Sequence, residues 1–408
     1  MSRFNTNTTH PIIPNSQQYM FEQEYISIHS QDINKLKYPN SSEFEIELPQ
    51  DYLNVQGFRL ASGEFPMSMN TFSEARKNIT MSFKISDVYN PVEAGVVDPL
   101  AINIFATLYE YLDEYVFSIE QGNYDATQMA TELTNKFNKA VTDVILGPGS
   151  MLSDSQKSDY IAAGGYQEFI IVHNKVSNKL WFGNKSSGFE LTNTTTATME
   201  ENDHNCAQNL NAVPDFSNWG LPAYLGFSRC NCFSNEMTDS SVTRFYYGDV
   251  VSGDNGYWLN ANQTPQYSGA KAYYIEAPLP VNLKHPAYFY MEIKFLNFMD
   301  ETAPYNYSTC TEGTNLTNGI VNASFAKIPF NNCGCNYYEA FNLANNYKIY
   351  NPPVERIRKL SIKFRYHDGT LVEFLNANYT FTLELTLFRP QNQKNYHMYT
   401  PESIANNW

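Results

Sequence analysis

The segment that leads into the C-terminal tail constrains this chain most. Over residues 379–388, Tyr379, Phe381, Leu383, Leu385 and Leu387 alternate with Thr380, Thr382, Glu384 and Thr386. A strand turns successive side chains to opposite faces, so this period of two puts the apolar set on one face of a sheet and the polar set on the other. Upstream, Leu360, Ile362, Phe364 and Tyr366 alternate with polar partners in the same way, and Asp368-Gly369 follows. That dipeptide accepts positive φ at both turn positions, and the pattern predicts a tight hairpin. A chain that ends like this is made of antiparallel strands, and no catalytic motif is written on them.

The 408 residues hold 42% hydrophobic and 17% charged side chains, ample material for a core. The 30 tyrosines and 27 phenylalanines suit strands and also protein–protein contacts. With 27 basic against 42 acidic residues the net charge is −15. Such a surface repels phosphate backbones, so no direct nucleic-acid partner is expected. The opening residues 1–10 lack the apolar stretch of a signal peptide, and no later segment approaches the length of a membrane span. Both features predict a protein made and kept in the cytosol, or packaged from there. Sequons such as those at Asn78, Asn306 and Asn378 then read as a by-product of an asparagine-rich composition.

Along the chain, residues 1–20 are polar, carry Pro11 and Pro14, and read as an extended arm. Strand patterns occupy residues 25–29, 44–48, 55–65 and 81–85. The apolar stretch 101–119 is read as one or two strands. Asp125 caps a helix, with Gln128 as its reciprocal partner and Met129, Leu133 and Phe137 as a single apolar stripe. This stripe suits a helix that covers one end of the sheet. Residues 169–173 and 180–182 read as a hairpin pair, residues 193–220 as irregular, and residues 287–296 as a strand. The expected architecture is all-β: a jelly-roll-like antiparallel β-sandwich with one amphipathic helix and long loop insertions. Its domain spans residues 21–389, with insertions at about 193–245 and 300–350, and residues 390–408 form a polar tail ending in Trp408.

Six cysteines, Cys206, Cys230, Cys232, Cys310, Cys333 and Cys335, cluster in the two insertions. Three states are open to them. Their even number and clustering suit disulfide staples, and a reducing cytosol suits free thiols. The Cys-x-Cys pairs, with His204 nearby, suit zinc, although one intervening residue is fewer than the usual knuckle requires. Basic residues concentrate at Arg356, Arg358, Lys359, Lys363 and Arg365. Alternation predicts that Lys359, Lys363 and Arg365 face away from the core. There they make a solvated, charge-protected sheet face, a docking strip for an acidic partner or, third, a contact for nucleic acid. The seven histidines are scattered without a His-Glu-x-x-His pattern, and neither a Gly-x-Ser-x-Gly elbow nor a phosphate-cradling loop occurs. We therefore expect no enzyme, no catalytic residues, no resident metal and no cofactor.

Several stretches taken in order carry a resemblance. Residues 25–33 open with a strand, Tyr38-Pro39-Asn40 is a turn, residues 44–48 a second strand and residues 55–66 a third ending in Phe65-Pro66. Residues 119–124 then lead into the helix, Leu225-Gly226-Phe227 follows, and the hairpin and closing strand come last. This order resembles minor capsid proteins of nucleocytoplasmic large DNA viruses. The resemblance implies a giant-virus virion structural protein, assembled in the host cytoplasm, whose arms thread between neighbours. Its implied partners are a major capsid protein, whose capsomers it would cement, and other minor capsid proteins. The rival expectations are a tail-fibre or receptor-binding module that recognises host glycans, a glycoside-degrading enzyme with two facing carboxylates, and a secreted lectin.

Overall fold

The computed structural model describes residues 19–66, 69–192, 220–227, 231–236, 267, 269–301, 322–330, 337–339, 347–367 and 370–390. They divide between two compact units. The first joins Met1–Met69, Pro286–Pro304 and Thr317–Trp408; the second joins Asn70–His285 and Tyr305–Leu316. Where the sequence reading gathers residues 21–389 into one sandwich, the chain leaves the first unit after Met69 and re-enters it at Pro286. The physical reason is that period-two patterning identifies strands without saying which of them share a core. The pairing itself is antiparallel throughout the described strands, as the alternation predicts.

The first unit opens with β1 (Tyr19–His29) and the long β2 (Glu43–Pro66). The second contains β3 (Thr80–Asp87), α1 (Pro99–Glu110), β4 (Tyr115–Ser118), α2 (Ala126–Ile145) and α3 (Asp154–Ala162). It continues with β5 (Phe169–Asn174), β6 (Lys179–Asn184), β7 (Gly188–Leu191) and the single-turn α4 (Leu221–Tyr224). The short β8 (Cys232–Phe233) and β9 (Asn235–Glu236) and then β10 (Tyr273–Glu276) complete it. Back in the first unit come β11 (Tyr288–Ile293), β12 (Met299–Glu301), β13 (Asn322–Ser324) and β14 (Ala326–Pro329). The last three are β15 (Tyr337–Glu339), β16 (Lys348–Arg365) and β17 (Thr380–Pro390).

In the first unit the sheet order is β1-β17-β2-β16-β11-β14, with β15 also on β2 and a separate β12-β13 pair. The closing strand is thus an inner strand. β17 pairs along its whole length with β1, from Tyr19↔Pro390 to His29↔Thr380, and on its other side with β2. Tyr379, Phe381, Leu383, Leu385 and Leu387 are all buried. The core centres on Phe65, whose ring lies within 6.3 Å of those of Phe289, Phe364, Phe374, Tyr379 and Phe381. Asp368 and Gly369 lie outside the described residues. The bonds on either side of them, Tyr366 N to Thr370 O at 2.8 Å and Val372 N to Phe364 O at 3.1 Å, hold the arms of a hairpin.

The second unit has two four-stranded sheets, β5-β6-β10-β9 and β4-β3-β7-β8. The expected helix is α2. Asp125 accepts from the Thr127 and Gln128 amides while Gln128 Oε1 accepts from the Asp125 amide, a complete capping box. Its buried stripe runs Met129, Leu133, Phe137, Val141 and Ile145. Phe137 stacks on Phe83 with ring centroids 4.4 Å apart.

Besides the single-turn α4, two longer helices correct the expectation of a single one. The stretch read as strands opens as α1, because Asp98 caps the Leu100 amide, Pro99 supplies a fixed first-turn φ, and Ala101, Ile104, Phe105 and Leu108 share one buried face. Only Tyr115–Ser118 of that stretch is a strand. α3 starts from a second capping box, Ser153 with Gln156.

Candidate interaction surfaces

The basic strip lies on β16, opposite the acidic half of β2. Register places Arg356 across from Leu53, Lys359 across from Glu47 and Lys363 across from Glu43. Lys359 Nζ meets Glu45 at 2.5 Å and Arg356 meets Asp51 at 2.8 Å. The Lys359 ammonium beside it holds the Glu45 carboxyl below its ordinary value. Lys363 lies in register between Glu43 of β2 and Glu292 of β11. The register shifts between Ile357, opposite Tyr52, and Lys359, opposite Glu47, with the extra residues on β2; at this irregularity Arg358 and Lys359 are both exposed between buried Ile357 and buried Leu360. Much of the strip's charge is therefore met inside its own sheet. Arg358 has no ion pair among the described residues.

Arg365 corrects the alternation. Its side chain is 4% exposed and points among carboxylates rather than to solvent. Nη2 donates to Glu301 Oε1 at 2.6 Å, Nη1 to Glu301 Oε2 at 3.1 Å, and Nε to Glu292. The Tyr290 ring lies 5.2 Å from the guanidinium carbon. The Glu301 side chain is 2% exposed, so this is a buried ion pair linking β16, β11 and β12. Arg365 is a clamp within the unit and is not available as an outward contact.

The outward-facing apolar surface lies elsewhere, on the edge strand β1 and its neighbours. Ile26 and Ile28 point inward, so Phe21 and Tyr25, on the other parity, point out; they are 63% and 59% exposed. Phe21 faces Phe388 across the β1–β17 register, with ring centroids 5.5 Å apart. Farther across the same face, Thr386 is opposite Gly57, and Gly57 is opposite the exposed Ile349. Tyr347 lies over Gly57 and donates to Thr386 Oγ1 at 2.8 Å. An aromatic band thus crosses β1 and β17 at the edge of the sheet, and Tyr347 and Ile349 lie on the same face beyond Thr386 and Gly57. Beside it Glu384 is buried and held by Arg59, at 2.6 and 3.0 Å, and by Gln23 at 3.3 Å. The sequence carries a signal for this band in the aromatics of opposite parity to Ile26 and Ile28, a signal the reading above does not use.

Other segments singled out by sequence find local reasons. Asn40 Oδ1 accepts the Ser42 amide at 2.9 Å, which closes the Tyr38-Pro39-Asn40 turn, and Tyr38 OH donates to Glu45 at 3.2 Å. Gly226, between buried Leu225 and Phe227, has φ 90°, and any Cβ there would come within 2.1 Å of the Leu279 carbonyl oxygen. Cys232 is half-buried in β8 opposite Leu191. Cys206, Cys230, Cys310, Cys333, Cys335 and Trp408 lie outside the described residues, as do most of the two terminal arms. Among the described residues no three metal-ligating side chains converge, and no helix is long and apolar enough to cross a membrane.

No family model and no curated protein matches the chain. Among solved structures, the selenomethionine-labelled mavirus penton protein matches at 11% identity with a TM-score of 0.34, covering 91% of this chain and 100% of that one. A chain of the Sputnik virophage, solved by cryo-EM, matches at 10% identity with a TM-score of 0.33, covering 92% of this chain and 99% of that one.

Proposed function

We propose that this chain is a structural protein of a virion, and more finely a minor capsid protein that cements the capsomers of a large icosahedral DNA virus. It works by binding other coat proteins and performs no catalysis. The observation that supports this reading is the aromatic band at β1: a long edge strand bearing Phe21 and Tyr25, exposed, beside Phe388. Edge strands and exposed apolar patches are liabilities in an isolated protein, and they are retained where a partner covers them. Aromatic side chains are also the residues enriched where protein interfaces bury most surface. The ordered strand, turn and helix pattern of the sequence points the same way.

Cross-linking mass spectrometry of purified particles tests the reading, together with a Phe21→Ser, Tyr25→Ser double variant. Cross-links from the first unit to coat proteins, and loss of the folded variant from particles, are the expected results. Absence of the wild-type chain from particles would end the proposal. A second reading, glycan recognition, draws on the Trp181–Tyr274 stack, with centroids 6.0 Å apart, on the second unit. Binding to a glycan array that is lost in Trp181→Ala would favour it.

A further inference from the structure

One acid in the second unit is buried without an ion pair among the described residues. Glu168, in the connection between α3 and β5, is 2% exposed, and its Oε2 has no hydrogen-bond partner among the described residues. Its backbone carbonyl accepts from the Lys185 amide at 3.1 Å, which pins it to the turn between β6 and β7. The Lys185 ammonium acts on the carboxyl only at a distance and donates to the Gln167 carbonyl at 3.2 Å. Among the described residues the other titratable groups facing Glu168 are phenols: Tyr160 of α3, Tyr166 of the same connection, and Tyr267. Asn184 Nδ2 donates to Tyr166 OH at 3.1 Å, so that ring is fixed by β6.

An unpaired carboxylate in such surroundings is better neutralised by a proton than kept as an ion. Burial pushes the Glu168 carboxyl up to about 7, with Lys185 pulling it partly back. The phenols keep their protons: burial raises Tyr160 and Tyr166 far above their ordinary range and Tyr267 to about 12. Around neutrality Glu168 is therefore the one member of this group whose charge changes. We infer that the corner of the second unit formed by α3, the Glu168 connection and the β6–β7 turn is a proton-controlled latch, shut while Glu168 is protonated and opened to water when the proton leaves.

The sign follows from linkage. The stabilisation is complete below the ordinary carboxyl value of 4.5, declines as pH rises, and is gone above about 7. Within that window each pH unit raises the opening constant by about tenfold. The corner is joined to α2, because the Tyr166 amide donates to Thr142 Oγ1 at 2.9 Å and the Phe169 amide to Asn138 Oδ1 at 3.0 Å. Opening it therefore loosens the helix that carries the core stripe.

Hydrogen exchange of the full chain, wild type against Glu168→Gln at matched pH, tests the latch, since the matched comparison cancels the intrinsic pH dependence of exchange. Peptides covering residues 160–170 and 183–188 should exchange alike near pH 4.5, and about a hundredfold faster in the wild type near pH 8. An equal ratio at both values overturns the inference. If the variant does not fold, the protonated-carboxyl band of the wild type decides by infrared titration. Its loss with a midpoint near 7 supports the latch, and its absence near pH 5.5 refutes it.

Discussion

Replacing Arg365 with methionine isolates the contribution of the buried clamp. Methionine has similar reach and no charge, so it fills most of the space while leaving Glu301 and Glu292 without their guanidinium. The two carboxylates lose unequally. Glu292 is 25% exposed and can recover water, whereas Glu301 is 2% exposed and loses both of its arginine bonds. Breaking one side of such a pair costs about 3–5 kcal/mol, most of it from the stranded charge and not from the value of the pair itself. Adding Glu301→Gln removes that charge, so the double variant should recover roughly half of the loss, a coupling of about 2 kcal/mol. Because the chain has two units, one global unfolding curve would mix their transitions. Local opening of β11 and β16 by native-state hydrogen exchange is the cleaner assay. A single-variant loss below about 1 kcal/mol, or a double variant at least as unstable as the sum of its parts, would refute the reasoning.

Gly226→Ala should destabilise the second unit by about 2 kcal/mol or more, since it combines a positive φ with a Cβ driven into the Leu279 carbonyl; calorimetry of the full chain checks this, and an unchanged transition refutes it. Asp125→Ala removes both amide bonds at the start of α2 and should cost about 1 kcal/mol, read as faster exchange of the first helical turn, whereas Asp125→Asn should retain most of the stability.

How far the sequence was legible depends on what each signal measures. Alternation was enough for β17, because every second residue there meets one core, and the capping pair Asp125 and Gln128 marked the start of α2 correctly. The same alternation put Arg365 on the face away from the core but could not show that this face is covered, because Glu292 of β11 and Glu301 of β12 close over the guanidinium. The misreading of α1 has a different source. Ala101 and Phe105 on one parity and Ile102, Ile104 and Leu108 on the other are all apolar, so the run fits a buried strand as well as a helix, and the decisive evidence was the Asp98-Pro99 start. The division into two units was not legible, because it depends on pairings between β2, near the start, and β16 and β17, near the end. Such distant registers leave no local trace. Glu168 was also invisible, since a lone acid before an apolar strand looks like any solvated residue until its burial is known.

The position of β17 in the sheet also bears on why the proposed docking surface is the β1 edge. A half-exposed sheet presents its polar face to water, and the Thr380, Thr382, Glu384 and Thr386 series resembles such a face. In the structure, Glu384 and Thr386 are buried as well, because β1 and β2 flank the strand and Arg59, Gln23 and Tyr347 lie across it. These groups satisfy one another: the carboxylate of Glu384 takes three side-chain bonds, and the Thr386 hydroxyl takes one from Tyr347. A polar layer that is already paired gains little from a new partner, since any contact must first break bonds of comparable strength. The adjacent edge differs in kind. Phe21 and Tyr25 have exposed ring area and no such bonds to lose, and burying apolar area yields about 25 cal/mol per Å². Attraction therefore concentrates at β1 rather than on the charged strip that composition first suggests. Of the basic residues of β16, Arg356 and Lys359 are already matched by Asp51 and Glu45 of β2, so a new partner would have to displace those pairs.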